Sequence, residues 1–169
     1  MCQEKQRVGN FLSEMDAELH TLLTRQISRL EDEIQAQIKA DPELKQQAKI
    51  LRSIPGIGPV LCAALMGEMP ELGSMNDKQV SALAGVAPIN KDSGRMDGKR
   101  SIKGGRYNIR SLLYQAALVA SQHNQPLKNF ANRLKGKGKP HKVVLIAVAR
   151  KLLVTANALV AKNELWREN

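Results

Sequence analysis

The residues best suited to chemistry are two serines set among cations. Ser93 and Ser101 fall within "KDSGRMDGKRSIKGGR", a stretch crowded with Lys, Arg and Gly. A serine hydroxyl needs activation before it attacks phosphorus. Neighbouring cations lower its pKa and stabilise the charge of a pentavalent phosphorane. Ser93, in "DSG", has Asp92 beside it to orient the hydroxyl and Gly94 to leave room for a phosphate. Ser101 is similarly surrounded but stands nearer a helix, where a capping role fits. On chemistry alone, an ordinary loop or cap role suits either serine better than a nucleophile's.

The cations around them form a candidate grip. Arg95, Lys99, Arg100, Lys103, Arg106 and Arg110 fall within sixteen residues. Each phosphate they neutralise releases counterions, so affinity for nucleic acid should fall steeply with salt. Gly94, Gly98, Gly104 and Gly105 keep the backbone slim enough to lie against a strand. Tyr107 could stack on a base or close the core, whereas Tyr114 suits the core. Mutual repulsion and glycine entropy predict a mobile loop over 90–104 in the free protein.

A second motif is "IPGIGPVLCAA". Apolar, Pro-Gly, apolar, Gly is the hairpin pattern of a helix-hairpin-helix element. Gly56 and Gly58 allow φ > 0 and remove side chains, so N–H groups around Ile57 can face a phosphate oxygen. The helix that follows adds its positive N-terminal dipole. Such contacts hold backbone without reading bases. A plain helix–helix turn is the alternative, since PG and GP dipeptides are common there.

Other chemistries find little support. His20, His123 and His141 lie far apart, with no Cys or acidic cluster at ligand spacing, so a metal site is not expected in this chain. There is no P-loop. Asp77, about twenty residues past the hairpin, could serve a helix-hairpin-helix repair enzyme as catalytic acid, but it stands in an N-cap context without base-pocket aromatics. Glu68, Glu71 and Asp77 are expected to cap helices or face solvent. Cys2 and Cys62 cannot build a disulfide framework and read as free thiols of a reducing cytoplasm. No apolar run approaches ~18 residues, so no membrane partner is expected, and the N-terminus lacks a signal core.

The elements that must position these residues are helices. Net charge is +10, with pI near 9.9. The charge is lopsided: residues 1–50 carry seven basic and nine acidic residues, and the remainder nineteen and seven. Such a surface attracts polyanions. Leu23, Ile27, Leu30 and Ile34 form a short a/d seam on a long helix from Phe11 to Ala40, too short to be a self-sufficient coiled coil. Pro42 opens another helix. Helices are expected on both sides of the PGIG turn, over a short segment capped by Ser74 or Asn76 and closed by Gly85, and over 106–122. Two more are expected from Pro126 to the "KGKGKP" linker and over 141–162. The fold class is all-α, with 1–49 a linking and dimerising helix and 50–169 a compact helical module.

Taken in order, "IPGIGPVLCAALMGEMPEL", "ALAGVAP" and "DSGRMDGKRSIKGGRYNIRSLLYQAALVA" resemble the C-terminal module of insertion-sequence 110 type transposases and Piv-type DNA invertases. The resemblance spans about residues 50–162. It implies a recombinase whose N-terminal domain, RuvC-like with a divalent metal (Mg) on four acidic residues, has no counterpart here. It also implies that this module supplies a serine nucleophile, Ser93, for a covalent protein–DNA intermediate. DNA is then a partner, a guide RNA another, and the N-terminal helix joins protomers into a homodimer or larger assembly. The expected setting is the bacterial cytoplasm, at the nucleoid. No cofactor is expected in this chain, which would bind nucleic acid but not recombine it alone. The alternative is a non-catalytic helix-hairpin-helix binding module.

Overall fold

The structure is a computed structural model. It describes residues 2–89 and 101–168, with side chains from residue 12 onward among the helical residues. The chain divides into two units, Met1–Pro42 and Glu43–Asn169.

The first unit is one helix, α1 (Cys2–Ala40). Its apolar residues Leu12, Met15, Leu19, Leu23, Ile27, Leu30 and Ile34 step by three or four, as a helical face requires. All seven are 43–64% exposed. Leu12, Leu23 and Ile34 are spaced by eleven, as are Leu19 and Leu30. That period gives a straighter seam than a heptad repeat.

The second unit is all-α, with one small hairpin. Its elements are α2 (Pro42–Ser53), α3 (Pro59–Glu68), α4 (Asp77–Leu83), β1 (Pro88–Ile89), β2 (Ser101–Ile102), α5 (Tyr107–His123), α6 (Gln125–Gly136) and α7 (His141–Lys162). The compact unit begins ahead of the boundary expected at residue 50, because α2 buries Ala48, Ile50 and Leu51. Local signals set the ends. Asn76 caps α4 by accepting from the N–H groups of Lys78 and Gln79, and Gln79 returns the bond to complete a capping box. Asn163, in the left-handed conformation at φ 53°, closes α7.

Helix α7 is the core element, packing along α5, α6 and α4. It buries Val144, Leu145, Val148, Ala149, Leu152, Leu153 and Ala156. By length and apolarity it could cross a membrane. A buried core helix meets the same test, and this one's inner face is the protein core. The buried Asn157 amide donates to Met75 O at 2.7 Å and accepts from Gly73 N at 2.8 Å. Arg150 Nε donates to Ser81 Oγ at 3.2 Å. Late α7 thus meets the approach to α4, and mid-α7 meets α4 itself, so the two helices run antiparallel.

Candidate nucleic-acid interface

The PGIG turn is built inward as well as outward. Ile54 and Ile57 are buried, and Ile57 N donates to Ile54 O at 3.0 Å. Gly56 has φ +108°, and a Cβ there would lie 2.6 Å from Ala120 Cβ on α5. Its missing side chain is therefore required by helix packing. Asn124, buried between α5 and α6, fastens the same turn: its amide donates to Pro55 O at 3.2 Å while its Oδ1 accepts from Leu127 N. Gly58 is different. Nothing lies within 4 Å of a Cβ placed there, and it forms the N-cap of α3 without a side-chain cap, followed by Pro59. The first-turn N–H groups of α3 have no intrahelical partner, as at any helix start. The open side of this motif is thus Gly58 and the α3 N-terminus; Gly56 and Ile57 support it from within.

The residues on either side of the basic stretch form a clamped stem. Strands β1 and β2 are antiparallel, with Pro88 opposite Ile102 and Ile89 opposite Ser101. Ser101 is therefore a strand residue rather than a helix cap; the N-cap position of α5 is Arg106, which makes no side-chain cap bond. Behind the ladder, Gly85 and Gly105 both have φ +68°, and a Cβ on either would run into the other's segment. Only glycines let these two backbones touch. Arg106 N donates to Leu83 O at 2.8 Å, completing the closure.

The candidate cations divide into four groups. Lys103 is exposed beside the stem. Arg106 is committed within the protein: its guanidinium makes a two-pronged pair with Glu71, at 2.8 and 2.9 Å. That guanidinium holds the Glu71 carboxyl down at about pKa 2, with help from a backbone hydrogen bond, and the carboxylate in turn raises the Arg106 pKa. Arg110 donates to Gly104 O and stands 5.4 Å over the Tyr107 ring. Tyr107 itself is 73% exposed, so the stacking option is the one its position leaves open. Arg95, Lys99, Arg100 and Ser93 lie outside the described residues, as do residues 90–100 of the loop over 90–104 for which mobility was expected; the rest of that range is not free, since Ser101 and Ile102 form β2 and Gly104 lies against Gly85.

Sequence reasoning missed the Glu71–Arg106 pair and the buried amides of Asn124 and Asn157. Glu68 likewise takes a partner, accepting from Asn108. Cys62 is buried, and burial pushes its thiol up to about pKa 11 against the opposing charge of Arg52. Among the described residues, no three His, Cys, Asp or Glu side chains gather into a set that could hold a metal ion.

Fold and site define a class: a basic all-helical module in which two short strands, closed by a glycine clamp, flank a cation-rich stretch of sequence. The chain belongs to the transposase IS116/IS110/IS902 family, whose model matches residues 48–132, from α2 into α6. It is 33% identical over 141 residues to the pilin gene-inverting protein of Moraxella bovis, covering 81% of this chain and 44% of that protein. The same identity and coverage hold for the pilin gene-inverting protein of Moraxella lacunata. An insertion element IS116 uncharacterized 44.8 kDa protein of Streptomyces clavuligerus is 29% identical over 150 residues, covering 85% of this chain and 37% of that protein. The chain spans less than half the length of each of these relatives.

Proposed function

We propose that this chain is the DNA-binding, serine-bearing module of a transposase or site-specific recombinase of an insertion element. The observation that carries the reading is the family match over residues 48–132, which contains both the PGIG turn and the whole basic loop. Two relatives are named for inverting a gene, which is DNA strand exchange. The clamped stem supports the reading, because a loop that must meet phosphate needs a fixed base.

In this mechanism the Ser93 hydroxyl attacks a backbone phosphorus. An Oγ–P bond forms, the P–O bond to the neighbouring deoxyribose breaks, and the serine proton passes to a base while the leaving oxygen is protonated. Arg95, Lys99, Arg100 and Lys103 would offset the charge on phosphorus. Arg110 would contribute from α5, whereas Arg106 would act mainly by holding the stem through Glu71. Gly58 and the start of α3 would hold a second stretch of backbone in the manner of a helix-hairpin-helix element, with Gly56 and Ile57 shaping it. The divalent metal would belong, as the resemblance implies, to a RuvC-like domain of a full-length recombinase. A guide RNA and DNA are the partners, and the bacterial cytoplasm is the setting.

The test is an excision assay with a full-length recombinase carrying this module, its element DNA and the element's RNA. Ser93→Ala should abolish excision while duplex binding persists. Excision surviving in Ser93→Ala but lost in Ser101→Ala would move the nucleophile to Ser101; survival in both would leave a binding module. The exposed α1 seam would pair protomers. Sedimentation of the present chain should show a dimer that Leu23→Asp with Leu30→Asp dissociates, and a monomeric parent would contradict the pairing.

A further inference from the structure

The turn between α6 and α7 is a cationic surface that neither the PGIG motif nor the serine loop includes. From Gly98 to Asn163 the sequence contains no Asp or Glu, against fourteen Lys and Arg. Five of those cations fall in the ten residues from Arg133 to Lys142, within "RLKGKGKPHK". The side chains of Lys135, Lys137, Lys139 and Lys142 are all exposed. None of them takes part in an ion pair among the described residues, where the pair found is Arg106–Glu71.

The backbone beneath them is fixed. Gly138, at φ +69°, closes α6, with Gly138 N donating to Lys135 O at 2.9 Å and Lys139 N to Leu134 O at 3.2 Å. No packing reason explains the second glycine, since a Cβ on Gly136 would meet nothing within 4 Å. Helix α7 then begins against the usual electrostatic preference. Pro140 provides no side-chain cap, the first turn holds no acidic residue, and His141 and Lys142 stand where the dipole favours anions. Local rules broken together without an internal gain mark a place where an external group supplies the compensation.

Position adds to this. Because α4 runs antiparallel to α7, the start of α7 lies toward the end of α4, where Gly85 clamps the loop stem. The turn and the stem therefore face the same end of the helical unit. From Arg150 back to His141, α7 extends roughly 13 Å at the ordinary helical rise.

We propose that the α6–α7 turn is a second phosphate-contacting surface, which takes the backbone of a double-helical nucleic acid. The surface lacks what single strands need. Binding of unpaired bases uses free aromatic faces, and the aromatic ring beside this turn, Phe130, is only partly exposed, unlike Tyr107, and carries two cations, Arg133 and Lys151, at 5.4 and 4.8 Å. Point charges on flexible stems, with no Phe, Tyr or Trp among them from Arg133 to Lys142, suit a paired helix held by its phosphates. The inference rests on the reading that this module handles nucleic acid, but not on the role of Ser93.

The test uses the present chain and three charge-matched variants: Lys137→Gln/Lys139→Gln/Lys142→Gln in the turn, Arg95→Gln/Lys99→Gln/Arg100→Gln in the loop, and Lys39→Gln/Lys45→Gln/Lys49→Gln as control. Binding to a duplex DNA, a duplex RNA and a single strand is followed by fluorescence anisotropy over a KCl series, with circular dichroism to check folding. At roughly 0.9 per phosphate contact, the turn variant should flatten the log–log salt slope on a duplex by about 2–3. Its affinity should fall at least about tenfold in 0.1 M salt while the control variant stays near the parent. A larger loss on one duplex identifies whether DNA or RNA is the helix held. A turn variant that matches the control, or that loses only single-strand binding, overturns the inference. Loss in the loop variant alone would do so while leaving the proposed function standing; loss in the turn variant alone would uphold the inference and overturn the proposed role of the loop cations. A parent chain that binds no duplex overturns both.

Discussion

Two glycine-containing turns in the helical unit look alike in sequence and differ in what their glycines face. In "IPGIGP" the first glycine is pressed against Ala120, and its neighbour Pro55 is fastened by Asn124. In "KGKGKP" both glycines stand in open space. The first turn is closed on the protein and offers only its Gly58 side outward; the second is open on every side a Cβ would probe. A glycine pattern specifies a backbone shape. Whether that shape serves packing or a ligand depends on a partner helix more than sixty residues away.

Substitution at each turn should separate these roles. The largest effect is expected at Gly56→Ala, where a strained φ and overlap with Ala120 together cost about 3 kcal/mol or more. Gly58→Ala, with room and φ −83°, should cost under about 1 kcal/mol through the weaker N-cap. Urea denaturation of the two variants reads the difference. Equal losses would mean that α5 does not confine the turn. In the open turn, Gly136→Ala should stabilise by about 0.5–1 kcal/mol, because a helical glycine with nothing around it only adds entropy to the unfolded chain. A destabilised Gly136→Ala would show a packing constraint there after all.

The finest comparison is between a cation committed inward and cations left outward. Glu71 is held at about pKa 2 by Arg106, below its ordinary 4.5. A depressed carboxylate contributes stability that is fully present above the ordinary value and is lost as pH falls through the lower one. The stem contact should therefore be intact at neutral pH and weaken only between about pH 4.5 and 2. A carboxyl-carbon NMR titration should place the Glu71 midpoint near 2 in the parent and return it toward 4.5 in Arg106→Gln. An unchanged midpoint in that variant would dissolve the pair as the cause.

What the sequence made legible follows the range of the signal. The bounds of α7 and the N-cap of α4 depend on residues within one turn of helix, and Pro140, Asn163 and Asn76 announce them. The same holds for Pro42 at the start of α2 and for Gly85 after α4. The core face of α5 is nearly as plain: of Ile109, Leu112, Leu113, Ala116, Ala117 and Ala120, which helical spacing puts on one face, all but the half-buried Leu112 are buried. The site was less legible where it depends on distance along the chain. Glu71 and Arg106 are 35 residues apart, so nothing local distinguishes a paired arginine from a phosphate-binding one. Asn124 and Asn157 look like surface polar residues until the carbonyls they satisfy are in place. Ser101 reads as a cap from its nearness to α5, yet its strand pairing with Ile89 holds it on the stem. The α6–α7 turn passes in sequence for a solvated linker; its meaning comes from the direction of α7 relative to α4.

The proposed role of Ser93 as nucleophile is open to direct test. The most direct measurement is mass spectrometry on tryptic peptides from a full-length recombinase carrying this module, trapped on element DNA with its RNA. A nucleotide esterified to Ser93 is the expected result. A nucleotide found on any other residue, or recombination proceeding with no protein–DNA ester formed, would contradict it.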